Sequence, residues 1–350
     1  MKLSRRKQVA LMFLFALAVR VFLATLYTPV GGADGNCDQC NYLQHSYSLL
    51  EGKPKALVSI ILAPVMLLGR LLGLDDLTGT IVGGCLIGAL NVIPLWVISE
   101  KLKVNPMITT LLYVFSPLDI AEVLTWGGYS LLLGILTVNT FVALETSRRS
   151  IITPLILVPV VIAHRTSGMY ISLFMLSLLL YSIVRSRRAD RFTLSAFAIV
   201  TLASLMLYAP YVTNSLRGNS IDLQAGLSAA NAKNVPGILY YLVIAGPLTV
   251  LLAASGIPAF LKNNNESALL MSWVFLPHIL TFIPFFTNQD YNIRLLAFAA
   301  GSLCVPISYA FENLGKKSEV VKAALRVLLV LMIVEAVIRS ILAFSSYGVR

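Results

Sequence analysis

The sequence predicts an all-α polytopic membrane protein of about eleven transmembrane helices, and three observations lead to that class. Apolar residues make up 57% of the 350 residues, and the mean hydropathy is +0.82. A soluble domain of this length needs far more polar surface. Apolar runs long enough to cross a bilayer, about 18 to 25 residues, recur along the chain. The Lys and Arg residues behind the formal net charge of +11 stand in short clusters between those runs, which argues for membrane lipids and against nucleic acid as the partner.

The apolar runs set the predicted order of the spans. The connections between them are short, apart from residues 29–79 and 213–235. The predicted segments are 8–28, 80–99, 106–123, 129–145, 151–164, 168–184, 192–212, 236–260, 267–286, 294–311 and 321–344.

The segment 56–73 decides the orientation of everything that follows it. It is apolar but carries Pro64 and Arg70, and the run before Arg70 is short for a span. If it lies along the membrane surface, the basic clusters near Lys101, Arg148 and Arg185 join the N-terminal cluster in the cytoplasm, as the positive-inside rule requires. We therefore predict a multi-pass cell-membrane protein with a cytoplasmic N-terminus and an extracytoplasmic C-terminus.

The chain reads as one transmembrane domain over residues 1–350, without a separate soluble domain. Its extracytoplasmic loop 29–79 carries interfacial helices, among them an amphipathic run from Tyr42 to Leu50 that Gly52 ends. Ala16-Leu-Ala18 could be a signal-peptide cleavage site. The apolar run continues past Ala18, so we expect an uncleaved first span.

Polar residues from distant parts of the sequence gather at the outer ends of the predicted spans. Paired carboxylates beside several cations suit a phosphate-bearing substrate, because arginine holds the phosphate and a carboxylate takes a hydroxyl proton. The candidates are Asp34, Asp38, Asp119, Glu122, His164, Arg165, Tyr291 and Arg294.

These candidates also have purely structural interpretations. Asp34 could form a turn, Asp38 could cap a helix, and Arg165 and Arg294 could anchor helices at lipid head groups. Glu122 lies just inside a membrane boundary, where an idle carboxylate is costly, and this favours a role in function.

The cysteine pair in the first loop leaves two interpretations open. Cys37 and Cys40 stand on the oxidising side of the membrane, where a short-range disulfide is plausible and a metal site would need further ligands. Cys85 and Cys304 lie in apolar spans and are interpreted as small core residues.

The residues of the first loop resemble a motif of the GT-C superfamily of polyprenyl-phosphate-sugar-dependent glycosyltransferases. This superfamily includes protein O-mannosyltransferases, the aminoarabinose lipid A transferase and the oligosaccharyltransferase catalytic subunit. The matching features are Arg20 in the first span, then Asp38, Tyr42 and the closing Gly52. Further matches are Ser116-Pro117 with Glu122, His164-Arg165-Thr-Ser-Gly, and Tyr291-x-x-Arg294. The usual adjacent acidic pair is absent, since Gln39 follows Asp38.

This resemblance implies transfer of a sugar from a polyprenyl phosphate or pyrophosphate to an extracytoplasmic lipid, glycan or protein hydroxyl. Asp38 would be the general base, and Asp34 or Glu122 would orient it. No cofactor is certain, and a divalent cation held by Asp38 and Glu122 is left open. The residues expected to bind the donor lipid phosphate are Arg294, Arg165, His164 and Tyr291. A secondary transporter or a lipid-linked-sugar flippase is the alternative, but charges clustered at one face and the lack of two related halves argue against it.

Overall fold

The protein is described by a computed structural model over residues 4–26, 38–53, 55–116, 118, 120, 128–147, 150, 152–186, 191–216, 245–281, 294–314 and 318–347. Within these ranges the chain is helical and contains no β-strand. The first helices are α1 (Arg5–Leu26), α2 (Asp38–Leu50), α3 (Ser59–Leu71), α4 (Asp76–Leu90), α5 (Val92–Lys101) and α6 (Pro106–Val114).

The remaining helices begin with α7 and are joined by short turns where the chain is described. They are α7 (Tyr129–Ser147), a 3₁₀ turn (Thr153–Leu157), α8 (Val158–Ala163), α9 (Arg165–Ser186), α10 (Arg191–Leu216), α11 (Pro247–Asn264), α12 (Ala268–Thr281), α13 (Ala299–Ser302), α14 (Cys304–Leu314) and α15 (Glu319–Tyr347).

Local chemistry explains several helix ends. The Asp75 carboxylate accepts hydrogen bonds from the Thr78 backbone N–H and hydroxyl, which caps α4. Gly52 ends α2 and Gly73 follows α3, at φ angles of +76° and +79°. Glycine tolerates this left-handed region without a Cβ clash. The predicted end of the amphipathic run at Gly52 is thus confirmed.

Four helical stretches of the described chain are long and apolar enough to cross a membrane: Arg5–Ala24, Asp76–Lys101, Tyr129–Ser147 and Thr166–Arg185. They coincide with the predicted segments 8–28, 80–99, 129–145 and 168–184. The described chain is therefore that of a helical membrane protein, while the total of about eleven spans stays a prediction.

Helix α3 lies in the segment that decides the orientation. Its 13 residues reach about 20 Å, short of a hydrocarbon core of roughly 30 Å. One stripe packs on α4, where a Cβ added at Gly79 would lie 2.9 Å from the Cα atom of Met66. The opposite stripe exposes Ile60, Leu68 and Leu71. An exposed apolar stripe suits contact with lipid, and the interfacial placement of α3 stays a prediction.

Two ends of the bundle can be told apart by their contacts. The Arg5 guanidinium at the start of α1 pairs with Glu100 at the end of α5. The Tyr309 hydroxyl donates to the Leu102 carbonyl and accepts from the Asn264 side chain, each at 3.0 Å. We name this end the Arg5 face and the opposite end, which carries α2, the α2 face. Because α1 and α4–α5 run antiparallel, α1 ends and α4 begins at the α2 face.

A buried polar network joins three helices in the middle of the bundle. The Asn139 side chain of α7 donates to Oδ1 of Asn91, between α4 and α5, at 2.8 Å. Its own Oδ1 accepts from the Trp273 indole of α12 at 3.1 Å. All three residues are buried. A Cβ at Gly301 would lie 2.9 Å from the Asn139 amide, so only glycine lets the chain pass there.

Candidate active site

The predicted site residues fall into three groups in the structure. His164 and Arg294 are described with their side chains. Asp38 and Arg165 are the first residues of α2 and α9, and only their backbone is described. The others lie outside the described residues, so their roles stay predictions: Asp34, Asp119, Glu122 and Tyr291.

Arg20, the arginine of the first-span motif, lies inside the bundle instead of facing lipid. Its side chain is fully buried, and its guanidinium carbon lies 4.9 Å from the centre of the Tyr113 ring of α6. Its Nη1 atom donates to the Ala16 carbonyl at 3.3 Å. Burying a cation costs desolvation free energy, and contacts with an aromatic face and a carbonyl oxygen offset part of that cost. Arg20 is therefore a fixed positive charge between α1 and α6.

Helix α2 is docked on α7 through Tyr42. The Tyr42 hydroxyl donates to Oγ of Ser130 at 3.0 Å, and its ring centre lies 5.3 Å from that of Tyr129. A Cβ at Gly84 of α4 would lie 2.1 Å from the Tyr129 ring, so glycine is required behind it. Positions 38 and 42 are one turn apart and share a face of the helix. Position 38 thus lies on the side of α2 that faces α7.

A second contact fixes the other end of α2. The Tyr47 hydroxyl and the Arg70 guanidinium both bond to the carboxylate of Asp76, at the start of α4. The Arg70 guanidinium carbon also lies 5.8 Å from the centre of the Tyr47 ring. The bond to Asp76 raises the pKa of Tyr47. We call these three residues the Tyr47 triad; it ties α2, α3 and α4 together.

His164 caps helix α9. It lies in the turn between α8 and α9 with extended backbone, φ −140° and ψ 111°. Its Nδ1 atom lies 3.3 Å from the Ser167 backbone N–H and 2.7 Å from the Ser167 hydroxyl. A backbone N–H can only donate, so Nδ1 is an acceptor and the ring proton is on Nε2. Burial, and then the charge of Arg294, lower the pKa of His164 to about 4. The ring is therefore neutral near pH 7.

Helix α7 contacts both α2 and the His164 turn, the two described parts of the predicted site. A Cβ at Gly134 would lie 2.2 Å from Oγ of Ser167, so α7 meets the His164 turn there. Gly134 comes one turn, about 6 Å, after Ser130, which contacts Tyr42. Phe298 comes four residues after Arg294, and its ring stacks on that of Tyr170 in α9, with 3.8 Å between the ring centres. The structure thus brings α2, His164 and the segment that begins with Arg294 to one face of the bundle.

Several of these contacts were not visible in the sequence. Ser130 is a small polar residue at the start of an apolar run, where serine is common and carries no signal. Ser167 belongs to the His164-Arg165-Thr-Ser-Gly match, but nothing in that match predicts its bond with the His164 ring. The Tyr47 triad joins residues up to 29 positions apart. Tyr47 could have been noticed in the sequence, because it belongs to the amphipathic run from Tyr42 to Leu50. Its contact with Asp76 could not have been predicted.

The described residues bear on two predictions, the divalent-cation site and the state of the cysteines. Among the residues described, no group of three or more His, Cys, Asp or Glu side chains could hold a metal ion. Glu122 lies outside that part of the chain, so the cation site at Asp38 and Glu122 stays a prediction. Cys40 is disulfide-bonded, whereas Cys85 and Cys304 are buried thiols.

Comparisons with known proteins add one finding on the fold. No protein-family model matches the chain, and no curated protein matches it either. Among solved structures, the arabinofuranosyltransferase AftD from mycobacteria aligns with a TM-score of 0.55 and 13% sequence identity. The alignment covers 99% of this chain and 27% of AftD. The chain therefore has a fold like that of about a quarter of AftD.

Proposed function

We propose that this protein is a membrane glycosyltransferase that moves a sugar from a polyprenyl phosphate or pyrophosphate to a hydroxyl group outside the cytoplasm. The observation that carries the proposal is the path along α7, from Tyr42 at Ser130 to the His164 turn at Gly134. It makes the helix that begins with Asp38 a neighbour of the two described donor-site candidates. The fold likeness to AftD, itself a sugar transferase, supports the same class of reaction.

The donor phosphate would be held by His164 and Arg294. The neutral His164 ring carries its proton on Nε2, so it offers one N–H donor beside a permanent cation. The first N–H groups of α9 have no partner within the helix and favour an anion at this end, except that of Ser167, which His164 caps. A phosphate at this turn would meet one cation, the His164 Nε2–H and the N–H groups that His164 leaves uncapped. Arg165 and Tyr291 are proposed to complete this site.

The transfer itself is proposed as a single displacement. The acceptor oxygen bonds to the anomeric carbon while the bond from that carbon to the donor phosphate oxygen breaks. The acceptor proton passes to the Asp38 carboxylate, and the phosphate leaves with the bonding electrons. Asp34 or Glu122 would orient Asp38 or help to hold a divalent cation, and Arg294 with Arg165 would neutralise the leaving phosphate. The sugar carbon is inverted.

The first test replaces the proposed base. Membranes carrying the protein are incubated with polyprenyl-phosphate sugars labelled in the sugar, and transfer to acceptor is measured beside donor binding. Asp38→Asn should lower transfer about a hundred- to ten-thousand-fold and leave donor binding intact. Asp75→Asn is the matched control, because Asp75 only caps α4 and asparagine caps about as well. Full transfer by Asp38→Asn would remove it as the base.

The second test concerns the donor phosphate. Arg294→Gln should weaken donor binding by about 2 to 5 kcal/mol if the charge pair is desolvated. A residue that only anchors the chain at lipid head groups would change it little. Equal donor binding by wild type and by a folded Arg294→Gln variant would exclude Arg294 from the phosphate site. Substrate movement across vesicles without any sugar transfer would favour the transporter or flippase alternative.

A further inference from the structure

A groove on the Arg5 face lies far from the proposed active site and has no part in it. It runs between the first turns of α1 and the first half of α5 and has a volume of about 460 Å³. Its walls are apolar side chains, and two arginines, Arg5 and Arg6, close one end. The wall residues are Val9, Ala10, Phe13, Ile93 and Val97.

Helix geometry explains why the groove is there. Arg6, Ala10 and Phe13 recur at the i, i+4 and i+7 positions of one stripe of α1, while Ile93 and Val97 are one turn apart on α5. Ala10 is small and exposed, so space remains between the two stripes. Both helices belong to stretches that can cross a membrane. The groove walls therefore meet hydrocarbon chains, not water.

The end of the groove is positively charged. Arg5 is paired with Glu100, whose other oxygen accepts from the Trp96 indole at 2.9 Å. Glu100 thus fixes Arg5 in place at the end of the groove. Arg6 has no acidic partner within the described part of the chain, and Lys7 follows it. Three cations and one carboxylate leave a net positive charge where lipid head groups lie.

We propose that this groove binds one anionic phospholipid, with its phosphate at Arg6 and an acyl chain along Ala10 and Phe13. Apolar walls at membrane depth require a hydrocarbon chain, and the arginines require an anionic head on the same molecule. From Arg5 to Phe13 the helix rises about 12 Å, less than half of the hydrocarbon core, so the lipid belongs to one leaflet. This inference does not depend on the proposed function.

The binding test uses native mass spectrometry of the purified full chain with phosphatidylglycerol or phosphatidylcholine added as probes. Wild type should retain phosphatidylglycerol in preference to phosphatidylcholine. Arg6→Gln should reduce phosphatidylglycerol retention by about tenfold or more, the usual effect of losing a hydrogen bond to a charged group. The matched control is Arg185→Gln, since Arg185 is an exposed cation at the end of α9 but does not line the groove.

A second variant tests the apolar part of the groove. Ala10→Leu should fill the space and reduce retention of both lipids, while photoactivatable phosphatidylglycerol should label the wild-type peptides that contain Phe13 or Ile93. Equal retention of the two lipids by wild type, or equal losses in Arg6→Gln and Arg185→Gln, would overturn the proposal. Labelling spread evenly over all lipid-facing helices would do the same, because it would indicate ordinary boundary lipid.

Discussion

The hydroxyl group of Tyr42 lies 3.0 Å from Oγ of Ser130, and this contact fixes how the first-loop helix meets the bundle. The two residues are 88 positions apart, and both are partly buried. The ring of Tyr42 packs on the neighbouring Tyr129 at the same time. Because Asp38 comes one turn before Tyr42, the contact also determines where the proposed base stands relative to α7.

Removing either partner of this contact should loosen α2. Tyr42→Phe and Ser130→Ala should each lower the free energy of unfolding by about 1 kcal/mol. The double variant should lose little more than either single variant, since the same hydrogen bond is removed. Denaturant titration in detergent micelles measures all three. Strictly additive losses would show that the two side chains do not act on each other.

The Tyr47 triad should matter for α2 in the same way, and two adjacent aspartates allow a controlled comparison. Asp76→Asn removes the negative charge that holds both Tyr47 and Arg70. Asp75→Asn changes the neighbouring carboxylate but keeps the cap of α4. We expect Asp76→Asn to increase protease cleavage between α2 and α3 and to lower transfer, with Asp75→Asn close to wild type. Equal cleavage of the two variants would contradict a role for the triad.

His164 should make the protein sensitive to acid within a defined range. Its pKa is lowered to about 4 in the folded protein, against an ordinary value near 6.5, so folding favours the neutral ring. That contribution to stability is complete above pH 6.5 and is lost as the pH falls from 6.5 towards 4. Protonation of Nδ1 would also break the cap on Ser167.

The variant His164→Asn isolates this effect, because asparagine caps a helix without titrating. The thermal unfolding temperatures of wild type and His164→Asn should therefore be compared between about pH 7 and pH 4. Wild type should lose stability relative to His164→Asn as the pH falls. His164→Ala lacks the cap and should be less stable than His164→Asn at every pH, by about 0.5 to 2 kcal/mol. Parallel pH curves for wild type and His164→Asn would contradict the assigned tautomer and pKa.

Much of the helix layout could be predicted from local pattern. The apolar run 129–145 became α7, Tyr129–Ser147, and the run 168–184 became α9, Arg165–Ser186. Length and apolar content are local properties of the sequence, so these helices could be predicted without knowledge of their neighbours. The turn at Asn91 was not predicted, because the apolar run 80–99 continues past it and proline is common in membrane helices. Its local cause is Pro94, which has no N–H to donate to the Leu90 carbonyl at the end of α4. The bond from Asn139 to the Asn91 side chain, 48 residues away in sequence, could not be predicted either.

The candidate site was predictable in its residue types but not in its contacts. His164 and Arg294 stood out because each is an ionisable residue at the end of an apolar run. The capping role of His164 depends on backbone geometry at Ser167, which no residue pattern specifies. The contact between Gly134 and Ser167 depends on how α7 packs against α9. Glycine is frequent in membrane helices, so its presence at position 134 does not indicate which neighbour it meets.

The orientation in the membrane can be tested with single cysteines in a background in which the four native cysteines are replaced. Arg5 pairs with Glu100, so the N-terminal cluster and the Lys101–Lys103 turn share the Arg5 face, and positive clusters resist translocation. We expect Ser147→Cys and Ser186→Cys to react with an impermeant thiol reagent only after the cells are permeabilised. Lys53→Cys, exposed in the turn after α2, is the control and should react in intact cells. Labelling of Ser147→Cys or Ser186→Cys in intact cells would place the Arg5 face outside and would move the α2 face, with the proposed active site, into the cytoplasm.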